Sequence, residues 1–219
     1  MAVMAVHGRL RLWPVVVLML SASVQTMAQT FESVAIPDSI WTLMQGRSCP
    51  EGHGADRQEL RYLRLSHYDF DGRACVGEMV CNRLIADDLL HIFRLLYEAR
   101  YPIARMRLID EYGADDLRSM AANNTSCFCY RVVAGSSKLS RHSLGMAVDV
   151  NPLYNPCLYV RTGLVSPPEG EGFARNRSTR KDIPGKIDHA DLCYRLFKER
   201  GFRWGGDWRT LKDYQHFEK

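Results

Sequence analysis

Between residues 82 and 100 the apolar side chains Leu84, Ile85, Leu89, Ile92, Phe93, Leu95 and Leu96 recur at helical spacing, and Pro102 ends the run. That periodicity predicts one long amphipathic helix whose apolar face has to be covered by the rest of the chain. Short apolar runs nearby supply the cover. Strands are expected at 103–109, 127–133 and 147–150, with a short helix at 114–122. A second helix is expected to start at Asp188 as its cap, to turn Leu192, Leu196 and Phe197 inward, and to stop at Gly201. Residues 151–187 hold five of the nine prolines and read as a long surface excursion. Residues 202–218, with Trp204, Trp208 and Phe217, are expected to return to the sheet. Helices segregated from a small, mainly antiparallel sheet make an α+β class.

The composition suits such a domain. Of 219 residues 46% are hydrophobic and 25% charged, which excludes a disordered chain, a collagen and a polytopic membrane protein. A net charge of +4, with no run of Lys or Arg, gives no reason to expect nucleic acid as a partner. The first segment carries Arg9 and Arg11, then an apolar stretch over 12–20, then Thr26-Met-Ala28. This is the layout of a signal peptide over 1–28, and the apolar stretch is shorter than the roughly 20 residues that span a bilayer. The chain is therefore expected to be exported, periplasmic or secreted, with no membrane span after cleavage. All seven cysteines (49, 75, 81, 127, 129, 157 and 193) lie beyond residue 28. In an oxidising compartment up to three disulfides with one thiol left over are expected. Cys127 and Cys129 are two apart on an expected strand, so they point to opposite faces and are not each other's partners.

Three residues look like metal ligands: His142, Asp149 and His216. His142 and Asp149 flank Gly145, which lets the chain turn so that the two converge, and His216 lies on the segment expected to rejoin the sheet. Two imidazoles and a carboxylate suit a catalytic zinc with a fourth position open to water. Asp213, three residues before His216, is placed to act as a general base. On spacing alone, a structural hydrogen bond between a histidine and an aspartate is the commoner explanation of such pairs.

Taken together, Ser140-x-His142-x-x-Gly145-x-Ala147-x-Asp149, Asn151-Pro152, Gly205-Gly-Asp-Trp208 and Asp213-x-x-His216-Phe217-Glu218 resemble the signature of the M15 zinc peptidases. The fit is best to the branch of VanY-like D-alanyl-D-alanine carboxypeptidases and L-alanyl-D-glutamate endolysins. The resemblance covers roughly residues 80–219 and implies a fold like that of the Hedgehog signalling domain and the DD-peptidases. It also implies one zinc ion held by His142, Asp149 and His216, with Asp213 as the catalytic base and Arg131 steadying the substrate carbonyl as it becomes an oxyanion. Cys129 and Gln215 stand where relatives tend to carry Asn and Pro.

The implied activity is hydrolysis of peptidoglycan stem peptides, first as a D-alanyl-D-alanine carboxypeptidase. The alternatives are an L-alanyl-D-glutamate endopeptidase and a non-catalytic zinc-bearing binding module. Ser126 and Ser140 read either as hydrogen-bond donors to a substrate carboxylate or as turn caps, and Trp204 and Trp208 either as core or as walls of the substrate groove. The expected organisation is a signal peptide at 1–28, an extension at 29–79 packed on the core, and a catalytic domain at 80–219, acting as a monomer. A serine nucleophile at Ser140 or Ser143 is disfavoured, because no Gly-x-Ser-x-Gly elbow is present. His53, His67, His91 and His189 match no ligand pattern. Arg175, Arg177, Arg180 and Lys181 read as a solvated loop.

Overall fold

The computed structural model describes residues 29–52, 55–133 and 136–219; the expected signal peptide at 1–28 and His53 lie outside the described residues. An antiparallel meander comes first. Strand β1 (Phe31–Ala35), helix α1 (Asp38–Met44), strand β2 (Leu60–Tyr68) and strand β3 (Ala74–Asn82) form a sheet of order β1-β2-β3. The long helix follows as α2 (Ala86–Glu98). It lays Leu89, Ile92, Phe93 and Leu96 over Leu63, Leu65 and Met79 of the meander. The opposite face of the meander carries Leu60, Tyr62 and Val80, packed with Ile36, Met44, Leu108 and Phe128. The meander is thus buried on both faces. The boundary expected at 79/80 runs through β3.

Beyond α2 the elements are short: β4 (Arg105–Met106), α3 (Asp116–Ala121), β5 (Asn124–Thr125), β6 (Ala147–Asp149), β7 (Cys157–Tyr159), β8 (Val165–Ser166) and α4 (Glu171–Ala174). The chain ends with α5 (Leu192–Glu199), β9 (Arg203–Trp204), β10 (Leu211–Asp213) and β11 (His216–Glu218). Strand order is β6-β11-β9 in one antiparallel sheet and β10-β7-β8 in another, and β4 pairs with β5 in parallel. The class is α+β, with the strands divided among several small sheets rather than gathered in one. The 202–218 tail returns as expected: Phe217 sits opposite Val148 and stacks on Phe197 at 4.2 Å, inside the main core.

Five expectations change. The strand over 103–109 shrinks to β4, because the side chain of Asn124 takes over the pairing of Arg107, accepting from its N–H at 2.8 Å and donating to its C=O at 3.0 Å. Residues 127–133 form no strand. Their N–H groups go to different places: Phe128 donates to Val80 O, Cys129 to His142 O and Tyr130 to Ser48 O. The cap of α5 is Asp191, not Asp188; its carboxylate accepts from Cys193 N at 2.9 Å.

The fourth change concerns 151–187, which is anchored rather than a surface excursion. Arg177, read from sequence as solvated, is buried and donates to Tyr154 O, Phe173 O, Asn155 Oδ1 and Ile187 O. Its guanidinium also lies over the Tyr214 ring at 4.4 Å. Asn155 completes the knot by donating to the carbonyls of Val150, Asn151 and Gly185. All seven cysteines stand as free thiols, six of them buried, rather than in the expected disulfides. They are dispersed through the packing as small apolar side chains: Cys127 turns to Gly145 O and Cys129 to Ala114 O.

Candidate metal centre and cleft

His142 arrives on a single 3-10 turn (Arg141–Leu144), and Asp149 ends β6. Between them Gly145 takes φ +64°, with the position of its absent Cβ only 2.6 Å from Asn82 N. A side chain there meets both a backbone strain and a backbone wall, so glycine is the residue that lets the turn press against β3. His216 opens β11 directly opposite Asp149 in the β6–β11 register. Ser126 holds the other side of Asp149 through two backbone hydrogen bonds, at 2.9 and 3.1 Å.

The three side chains converge. His142 Nε2 lies 3.1 Å from His216 Nδ1 and 3.2 Å from Asp149 Oδ2, and His216 Nδ1 lies 3.0 Å from Asp149 Oδ1. One candidate ligand atom from each residue falls within 4.8 Å of the others. The outward nitrogens are engaged elsewhere. His142 Nδ1 meets the carbonyl of Cys127 at 2.6 Å, and His216 Nε2 meets Glu218 Oε2 at 3.4 Å. The inner nitrogens both face the Asp149 carboxylate, at 3.2 and 3.0 Å, so a proton or a cation has to lie between them. With a cation there, the ring protons would go to the outer nitrogens, whose carbonyl and carboxylate partners only accept. The three residues are 2, 3 and 6% exposed, which leaves water little part in the cluster. Such a donor set fits a cation of zinc type.

The electrostatics follow from this packing. Burial alone would raise the Asp149 carboxyl, but His142 and His216 overcome it and hold it far below the usual carboxylate range. Burial alone would lower His216, yet its bonds to Asp149 and Glu218 push it up to about 10. Glu218 is steadied from behind by Arg203 at 2.6 Å.

This cluster forms part of the wall of a cleft of about 360 Å³ that also takes in Asp116, Arg131, Ser140, Trp208, Asp213 and Gln215. Burial, aided by Asp149 and opposed by His216, pushes the Asp213 carboxyl up to about 6, and Gln215 Nε2 donates to it at 3.2 Å. Gly205 packs against the stems of Asp213 and His216: a Cβ there would lie 2.8 Å from Asp213 Cβ and 3.2 Å from His216 Cβ. Arg131 pairs with Asp116 Oδ2 at 3.1 Å through Nε and donates to Ser140 Oγ at 3.3 Å. Its backbone is clamped by Ser143, whose hydroxyl donates to Arg131 O and accepts from Arg131 N. Burial by itself would lower the Arg131 guanidinium; Asp116 and Asp149 more than offset that and keep it charged.

The structure therefore gathers His142, Asp149, His216, Asp213, Arg131, Ser140 and Trp208 around one cleft. Ser140 also caps the turn that carries His142, accepting from His142 N at 3.3 Å. Trp208 stands beside His216 at 5.2 Å between ring centroids, whereas Trp204 is in the core. Ser126 is not part of the cleft wall; it lines a separate cavity of about 10 Å³ near Asp110. Two residues are missing from the sequence reading. Asp116 carries no sequence signal, being an ordinary acid in the first turn of α3. Glu218 does carry one, since a residue two beyond His216 on a strand shares its face.

A family model described as D-alanyl-D-alanine carboxypeptidase, from the M15 peptidases, matches residues 134–219. Over these residues, under half of the chain, the sequence is similar to the M15 peptidases. The M15 segment holds His142, Asp149, Asp213 and His216, while Arg131 and Asp116 join the cleft from upstream of it. No solved structure matches the chain.

Proposed function

We propose that this protein is an exported, zinc-dependent D-alanyl-D-alanine carboxypeptidase acting as a monomer on bacterial peptidoglycan stem peptides. The observation that carries the reading is the inward convergence of His142 Nε2, His216 Nδ1 and the Asp149 carboxylate, next to a carboxyl held near neutrality at Asp213. His142, Asp149 and His216 would hold one zinc ion, which when bound polarises a carbonyl and makes water a stronger acid. Asp213 is the proton carrier in this reading. Its carboxylate takes a proton from the attacking water and gives it to the leaving amine. A carboxyl that titrates near 6 is suited to both halves of that exchange at neutral pH. Arg131, held by Asp116 and Ser140, offers its guanidinium to the negative charge growing on the substrate carbonyl oxygen. Trp208 and Ser140 line the space where the peptide rests.

Digestion of purified muropeptides, read by product mass, tests the reading. Loss of a single terminal D-alanine, abolished by a chelator and restored by zinc, is the expected result. Cleavage between L-alanine and D-glutamate would move the activity to the endopeptidase alternative. Intact muropeptides with zinc bound would leave a binding module.

A further inference from the structure

The β7–β10 ribbon extends the cleft in one direction. Its register sets Asp213 opposite Cys157 and Leu211 opposite Tyr159. Residues two apart on a strand share a face, so one face of the ribbon runs from the Asp213 pair to Tyr159 and Leu211. The hydrogen bond from Val160 N to Thr210 O carries the pairing one residue past the strands; Arg161 then lies in the turn leading to β8 and Arg209 in the bend before β10. Tyr159 and Leu211 line the cleft, and together with Arg161 and Arg209 they also line an adjoining groove of about 630 Å³. Both arginines are exposed, and among the described residues neither has an ion-pair partner. Like charges gathered on one groove repel each other. An anion lying between them removes that cost, and the planar guanidinium suits a carboxylate.

We propose that Arg161 and Arg209 form an anion subsite that receives a carboxylate of the peptide substrate, at the far end of a groove leading from Asp213. At about 3.4 Å per strand residue, Tyr159 and Leu211 lie roughly 7 Å along the ribbon from the Asp213 pair, and each arginine is two residues beyond them in the chain. An extended peptide of about four residues reaches that far. The direction along the substrate rests on the carboxypeptidase reading: a chain cut at its last bond has length to offer only on the N-terminal side. The subsite then selects stems with an acidic group about four residues before the bond cut.

Two fluorescently labelled hexapeptides ending in D-alanyl-D-alanine, with glutamate or glutamine as the fourth residue before the terminal D-alanine, test this on the zinc-loaded protein. Binding is read by anisotropy and cleavage by mass. The expected result is about tenfold tighter binding of the glutamate peptide at low salt, shrinking as salt screens the charge. R161Q/R209Q brings the two peptides to equality, while R195Q, at an exposed arginine outside the groove, keeps the preference. Equal binding by the unaltered protein, or a preference that survives R161Q/R209Q, overturns the subsite. If neither peptide is cleaved but the arginine-dependent preference is present, the subsite stands and the carboxypeptidase reading falls. Cleavage of both with no preference has the opposite meaning.

Discussion

Asp213 occupies a place where stability and chemistry pull in opposite directions. Its folded carboxyl keeps a proton to about pH 6, whereas an unfolded one releases it near 3.9. The native state therefore binds more protons between those values, and stability falls as pH rises through them. D213N removes that cost. In zinc-free protein it is expected to gain on the order of 1–2 kcal/mol at pH 7.5, and little at pH 4, in urea melts at both values. Turnover should drop about 10²- to 10⁴-fold, and in the unaltered enzyme kcat/KM should climb with pH as Asp213 loses its proton, below the value of about 6 it has without a metal ion beside it. Glu218 acts one step further out, by accepting the outer proton of His216. E218L is expected to weaken zinc binding about 10- to 100-fold, with E218Q, which keeps an acceptor oxygen, closer to the native value. Competition against a chromophoric chelator measures both. An unchanged affinity in E218L would remove Glu218 from the orientation of His216.

At the scale of elements, the site depends on turns that admit no alternative side chain. Gly145 joins the His142 turn to β6 at positive φ, against the backbone of Cys81 and Asn82. G145A is expected to cost about 2–3 kcal/mol, from the strained φ and the displaced wall together, and to loosen the metal site with it. Thermal melts with and without zinc would show both effects. The 151–187 segment depends on Arg177 in a comparable way. Its guanidinium satisfies carbonyls from four points of the chain and, among the described residues, has no acidic group in salt-bridge contact; burial brings it down to about 10, still charged at neutral pH. R177A leaves those buried acceptors unmet and is expected to lose about 3 kcal/mol or more in urea unfolding. A loss under 1 kcal/mol would mean that this segment is held by other contacts. Periodicity reveals neither feature, because a basic residue among prolines and glycines looks the same whether its target is water or a ring of carbonyls.

At the scale of the whole molecule, the main core joins residues from both ends of the described chain. Leu63, Leu65 and Met79 from the meander pack in the same cluster as Val148, Phe197 and Phe217. A fragment starting at residue 80 would lack β2 and most of β3 and would leave the inner face of α2 uncovered. It is expected to be insoluble or to lack a cooperative melt, whereas a chain starting at residue 29 should melt cooperatively. A folded, zinc-binding 80–219 fragment would show that the catalytic part stands alone.

Some of this was legible before any tertiary contact was known. The apolar period of 82–100 specified α2, because a helix repeats its buried face at a spacing that can be read off the chain. The triad of His142, Asp149 and His216, with Asp213 beside it, was legible as a set through the M15 resemblance, since spacing alone suits a structural hydrogen bond as well as a metal. What sequence left open was whatever depends on where distant backbone groups lie. The pairing of residues 105–107 went to an asparagine side chain, residues 127–130 divided their bonds among three partners, and Asp116 reached Arg131 only through the packing of α3. Sequence alone determined which groups could do the chemistry, since that is a property of residue type. Tertiary structure decided which nitrogen of each histidine faces inward, how far Asp213 is shielded from water, and that Arg161 and Arg209 line a groove adjoining its cleft. Tautomer, desolvation and like-charge proximity are set by neighbours in space, and those neighbours are remote along the chain.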